Sequence, residues 1–158
     1  MSEIPEEPVE RVREVVSRVI DALGFDATVE VSENDDEIRA TVEGPEEMGR
    51  LIGRHGQTID ALQHLAWRAA FQDRDERKAV VVDAAGYRQR REEALQRQAD
   101  RAASEALRFE RPVELEPMSA AERKTVHNYL ADRTDVETHS EGDEPERRLV
   151  VSPLRGRS

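Results

Sequence analysis

The stretch Leu51-Ile52-Gly53-Arg54-His55-Gly56-Gln57-Thr58-Ile59 has the residue types and spacing that bear most directly on chemistry. Two glycines separated by two residues make a tight turn with no side chain over the backbone, so a phosphodiester chain can lie directly on the main chain. The N–H groups that open a following helix point at such a phosphate and add the positive end of the helix dipole. Arg54 and His55 place donors at the turn, and Gln57 stands at the helix entrance. Ile52 and Ile59 are expected to line an apolar groove wall for splayed bases. An ordinary helix–turn–helix glycine pair would look the same locally, so the surrounding elements must decide.

A second constellation is Arg123-Lys124-Thr125-Val126-His127. Arg123 and His127 are four apart and share one helix face, where a forked cation and an imidazole can meet phosphates or stacked bases. By itself the pair reads more simply as a solvated helix face. Arg147 and Arg148 alternate in an expected strand, so at most one lies on Arg123's side, and both are candidates to reach nucleic acid. Arg88, Arg90 and Arg91 could extend a basic track, although a solvated face is the simpler reading. Trp67 and Phe71 are read as core.

The elements that must position these residues follow from periodicity. Val9, Val12, Val16, Val19 and Leu23 recur at helical spacing before Gly24, which suits a C-terminal cap. Ala27, Val29 and Val31, then Ile38, Ala40 and Val42, alternate around Asn34-Asp35-Asp36, which predicts a hairpin. Pro45, Glu46 and Glu47 suit the start of a short helix that runs through Ile52. After the glycine turn a helix is predicted over 57–72, with Ile59, Leu62, Ala66 and Ala69 on one face. The apolar run Ala79 to Val82 predicts a strand buried on both faces. From Tyr87 to Phe109 nothing breaks a helix, and Leu95, Ala99, Ala102, Ala103 and Ala106 form its stripe. Pro112 and Pro117 mark a loop, and Ser119-Ala-Ala-Glu122 reads as a capping box that opens a helix through about Ala131. Val136–Ser140 and Arg147–Ser152 are expected strands around a turn at Gly142 and Pro145. The tail 154–158, with Arg155 and Arg157, is expected to be loose.

Composition bounds the rest. The chain has 158 residues, enough for one ordinary domain or two small ones, and a net charge of −11. Residues 1–47 hold 15 acids and 4 bases, and the remainder is balanced at 20 of each. Long-range attraction to a polyanion is therefore weak, and the acidic first third disfavours non-specific binding to duplex, while local basic sites remain open further on. Of the 24 bases 22 are arginine, the residue suited to bidentate phosphate contacts. The absence of cysteine excludes disulfides, thiolate metal sites and cysteine nucleophiles. No run approaches a membrane span, and the acidic N-terminus is no signal peptide, so the expected compartment is the cytoplasm.

With those elements in place, residues 9–84 resemble a type II KH domain, whose loop is GxxG and whose order of elements is the same. The resemblance implies an α+β sandwich that grips about four nucleotides of single-stranded RNA, or single-stranded DNA, between the turn and the last strand. It makes Gly53, Arg54, His55 and Gly56 the backbone clamp. Arg123 and His127, together with Pro117-Met118-Ser119, Thr138-His139-Ser140-Glu141-Gly142 and Arg147-Arg148, make residues 85–153 resemble the Arg-x-x-x-His (R-3-H) single-stranded nucleic-acid-binding domain. The two in this order resemble the Jag (SpoIIIJ-associated) family of bacterial cytoplasmic RNA-binding proteins. The expected fold class is thus α+β, two small modules joined by a long helix behind an acidic extension at 1–8. Many members carry an additional N-terminal domain, so functions resting on it are not carried over. The resemblance further implies a small KH-only protein as a partner and links to a membrane protein insertase and cell-wall growth. Ser119 serves as a cap, Asp60 is expected to pair with Arg54 or cap its helix, and His127 and His139 lack the spacing of a triad or zinc site. The expected activity is therefore binding without catalysis, metal or cofactor. An adaptor using the same surfaces for protein is the competing reading.

Overall fold

The computed structural model describes residues 5–44 and 48–154, so the expected start of a helix at Pro45, Glu46 and Glu47 and the basic tail at 155–158 lie outside the described residues. The chain divides into two compact units, Met1–Arg88 and Gln89–Ser158. The first runs α1 (Pro8–Ala22), β1 (Thr28–Glu33), β2 (Glu37–Glu43), α2 (Gly49–Ile52), a 3-10 turn (Arg54–Gly56), α3 (Gln57–Phe71) and β3 (Ala79–Ala84).

Pro8 sits at the first helical position of α1, where its missing N–H costs nothing. Val12, Val16 and Ile20 are the buried stripe, while Val9 and Val19 are half-buried and Leu23 is exposed beyond the helix end. The hairpin forms as expected, and the Asn34 side chain closes it by accepting from the N–H groups of Asp36 and Glu37, both at 2.8 Å. The sheet order is β1-β2-β3, with β2 antiparallel to β1 and parallel to β3.

Register explains how this sheet is covered. Val31 lies beside Ala40, which lies beside Val82, and Val29 beside Val42, which lies beside Ala84. These residues pack with α1 and α3 in one core that also holds Ile38, Leu51, Leu62, Ala66 and Phe71. The other face carries Ser32, Arg39 and Val81 in one row and Glu30, Thr41 and Asp83 in the next. The expectation that β3 is buried on both faces is therefore wrong. Only Val80, Val82 and Ala84 are buried, because the helices cover one face and Val81 belongs to the polar one. The outer edge of β3 is closed by side chains: Val82 N–H donates to Gln63 Oε1 at 3.1 Å, and Trp67 Nε1 donates to Lys78 O at 3.1 Å. Phe71 is core as expected, and Trp67 packs against it half-buried.

The second unit holds most of α4 (Tyr87–Phe109), then β4 (Val113–Glu114), α5 (Ala120–Leu130), β5 (Val136–Glu141) and β6 (Arg148–Pro153). The predicted stripe of α4 is buried residue for residue. Glu110, at φ +51°, turns the chain out of α4, and Arg111 N–H bonds back to Ala106 O. The antiparallel sheet has the order β4-β6-β5. The two-residue β4 lies where the prolines predict only loop.

Candidate nucleic-acid interface

α2 is a single turn anchored by buried Leu51, and Gly53 N–H closes it on Gly49 O at 2.8 Å. Gly53, His55 and Gly56 then take φ values of +75°, +55° and +78°. Both glycines are required twice over. A Cβ on Gly53 would stand 2.8 Å from Thr58 Cβ, and one on Gly56 would stand 2.9 and 3.0 Å from Cε1 and Cζ of Tyr87. Tyr87 therefore forms the floor under the turn, a role that no local pattern signals. His55 occupies the left-handed region in which His, Asn and Asp are enriched among non-glycine residues.

Arg54, His55 and Gln57 are exposed, and no described residue bonds the Arg54 guanidinium or the His55 imidazole. Gly56 caps α3 without a side-chain acceptor, and Gln57 N–H, the first of α3, bonds back to Arg54 O. Ile52 is half-buried at the turn, but Ile59 is fully buried in the core and cannot line a groove for bases. The reason is helical phase: Ile59 shares the core face of α3 with Leu62, Ala66 and Ala70. Asp60 pairs neither with Arg54 nor with the helix start. It bonds the Arg88 guanidinium, which also donates to Gln63 Oε1 at 3.1 Å and Val82 O at 3.2 Å. A carboxylate in the first turn of α3 would repel an incoming phosphate, and Arg88 compensates it.

In the second unit, Ser119 Oγ accepts from Glu122 N–H at 3.2 Å and caps α5. The expected return bond of a capping box is replaced, because the Glu122 carboxylate takes Arg91 in a two-pronged pair at 2.7 and 3.2 Å. Arg88 and Arg91 are thus committed within the chain and do not form a basic track. A shallow groove between α5 and the β5–β6 hairpin is lined by Arg123, Lys124, His127, Thr138, His139 and Arg147. His127 Nδ1 lies 2.5 Å from Thr138 Oγ1, which fixes the ring across the groove. Arg147 is held at the rim by a 2.6 Å bond to Gly142 O. Arg148 stands across from Glu141 in register, reaches toward Glu114 at 3.4 Å and stays outside the groove. Strand alternation therefore decides between the two arginines.

Arg123 differs from its expectation as an open fork. It is 8% exposed, and its guanidinium donates to Met118 O and Glu144 Oε1, each at 2.5 Å. A buried cation needs such partners, since an uncompensated one would cost about 3–5 kcal/mol. It borders the groove but is tied to both the entry of α5 and the hairpin turn. Glu144 carried no signal in the sequence, because 21 residues separate it from Arg123. Among the described residues no group of His, Asp and Glu is placed to hold a metal ion.

Residues 9–83 match a family model described as the KhpA/KhpB KH domain, and residues 93–153 match the model of the Arg-x-x-x-His (R-3-H) domain. The chain is 36% identical over 144 residues to RNA-binding protein KhpB of Clostridium symbiosum, covering 90% of this chain and 64% of that one. It is 32% identical over 151 residues to RNA-binding protein KhpB of Bacillus subtilis, covering 94% and 72%. With RNA-binding protein KhpB of Streptococcus pneumoniae serotype 2 it shares 33% over 146 residues, or 92% of this chain and 44% of that protein. The chain thus spans between 44% and 72% of the length of these three relatives.

Proposed function

We infer the function from one premise: the chain belongs to the KhpB (Jag) family. It binds single-stranded RNA without catalysis, and the glycine turn is its backbone clamp. One observation carries this reading. Arg54 and His55 stand exposed and uncommitted on a glycine turn that leads directly into α3, whose N-terminus has no side-chain cap. A phosphate at that point meets backbone N–H donors, a helix dipole and a guanidinium together.

The groove of His127, Lys124 and Arg147 supplies a second contact, and two modest sites on one chain raise avidity without new contacts. In the cell the chain acts as a post-transcriptional regulator linked to growth or cell-wall processes. No described helix is long and apolar enough to cross a membrane.

The test is fluorescence anisotropy with a mixed-sequence single-stranded RNA at two salt concentrations, comparing the native chain with the Arg54→Asp/His55→Asp double variant. Aspartate tolerates the left-handed backbone at position 55, so the turn is retained. A lost charge-assisted bond is worth about 1.5–3 kcal/mol, so affinity should fall at least about tenfold, with a shallower salt dependence. Unchanged affinity with unchanged melting refutes the clamp.

A further inference from the structure

The Arg123–Glu144 pair joins two very unequal partners: the arginine side chain is 9% exposed and the glutamate side chain 58%. We propose that Glu144 is a specificity-determining residue of the α5 groove, its carboxylate holding the place on Arg123 that an RNA phosphate takes on binding. The proposal rests on the reading of this groove as a nucleic-acid contact.

Three observations converge on it. Arg123 Nη1 is held by Met118 O, so the guanidinium stays aimed when Nη2 loses its partner. Glu144 sits on the turn between β5 and β6, the turn that also carries Arg147, and both arginines border the groove. The released carboxylate is already largely in water, so its displacement carries little desolvation cost. Carboxylate and phosphate offer a guanidinium the same pair of oxygens. Glu144 thus compensates a buried cation in the free protein, and phosphate takes over that role in the complex. An anionic oxygen replaces the carboxylate charge for charge, whereas a neutral base edge would leave the buried cation uncompensated. The groove therefore reads the RNA backbone in preference to its sequence.

The experiment measures affinity of the full chain for a mixed-sequence single-stranded RNA in four variants. Glu144→Gln weakens the competitor while it still accepts from Arg123. Glu144→Asp shortens the reach at constant charge. Glu146→Gln makes the same charge change on the same turn. His127→Ala/Arg147→Ala tests the groove itself. Glu144→Gln and Glu144→Asp should both bind about twofold to fivefold tighter than native, a modest gain because either side chain can still accept from Arg123, with Glu146→Gln close to native. If the double variant is weakened but neither change at Glu144 tightens binding beyond Glu146→Gln, the groove reading stands and this proposal falls. If the double variant binds like the native chain, both fall.

Discussion

Replacing Gly56 by alanine loads the turn in two separable ways. The backbone sits at φ +78°, where a residue with a Cβ costs about 1–2 kcal/mol. The new methyl would also stand 2.9 and 3.0 Å from two ring carbons of Tyr87, and overpacking of that kind costs about 1–3 kcal/mol. Together the loss is about 2–5 kcal/mol. In a unit the size of Met1–Arg88, each kcal/mol lowers the melting temperature by about 4–8 °C. Gly24 supplies the control: it has the same φ of +78°, and a Cβ there meets nothing within 4 Å. Gly24→Ala should therefore show the backbone cost alone. Trp67 is the one tryptophan of the chain and lies in the first unit, so its fluorescence in urea reports that unit's unfolding. Against a Tyr87→Ala background, Gly56→Ala should fall to the cost of Gly24→Ala, a coupling of about 1–3 kcal/mol. If Gly56→Ala costs no more than Gly24→Ala in the native background, Tyr87 is not the floor of the turn and the reasoning fails.

Arg123→Ala should destabilise the second unit by about 1–3 kcal/mol, because Met118 O loses its buried partner, and Arg123→Lys should not restore both bonds; circular dichroism during urea unfolding reads it, and a native-like midpoint would contradict it. Arg147→Ala should weaken RNA binding by about 1–3 kcal/mol and reduce the salt slope by about one, while Arg148→Ala should leave both near native; equal losses in anisotropy would refute the assignment of sides. The Arg133 guanidinium, bonded to both oxygens of Asp135 at 2.9 and 2.8 Å, holds that carboxyl below the usual aspartate range, and Arg11 does the same to Asp73. The unfolded chain then binds more protons than the native one just below the ordinary value of about 3.9, so this stability is fully present above it and is lost as pH falls through the folded value. Asp135→Asn should flatten that acid limb in urea midpoints taken between about pH 5 and pH 3, and an unchanged limb would rule the pair out as its source.

The two units were legible in the sequence because their signals are local. Helical spacing in α1 and α4, alternation in β1 and β2, and the cap at Ser119 each depend on residues within a few positions of one another. The glycine turn was legible for the same reason, since two glycines separated by two residues define a backbone shape wherever they stand. The misreadings have the opposite character. Val81 was assigned to a buried face, Ile59 to a groove wall, Asp60 to Arg54 or a helix cap, and Arg123 to an open fork. Three of them depended on a partner distant in the chain, the open face of the sheet for Val81, Arg88 for Asp60 and Glu144 for Arg123, while Ile59 sits on the same helical stripe as Leu62 and Ala66.

What the sequence by itself determined, then, is the set of elements and the glycine backbone of the turn, because propensity, periodicity and glycine geometry are properties of neighbouring residues. Only the tertiary structure decided which cations are free to meet a ligand. Arg54 remains uncommitted, while Arg88, Arg91 and Arg123 are spent on Asp60, Glu122 and Glu144, which lie 28, 31 and 21 positions away. The reason is physical: a buried or half-buried guanidinium must find an acceptor, and which carboxylate folding brings to it is settled by packing and register.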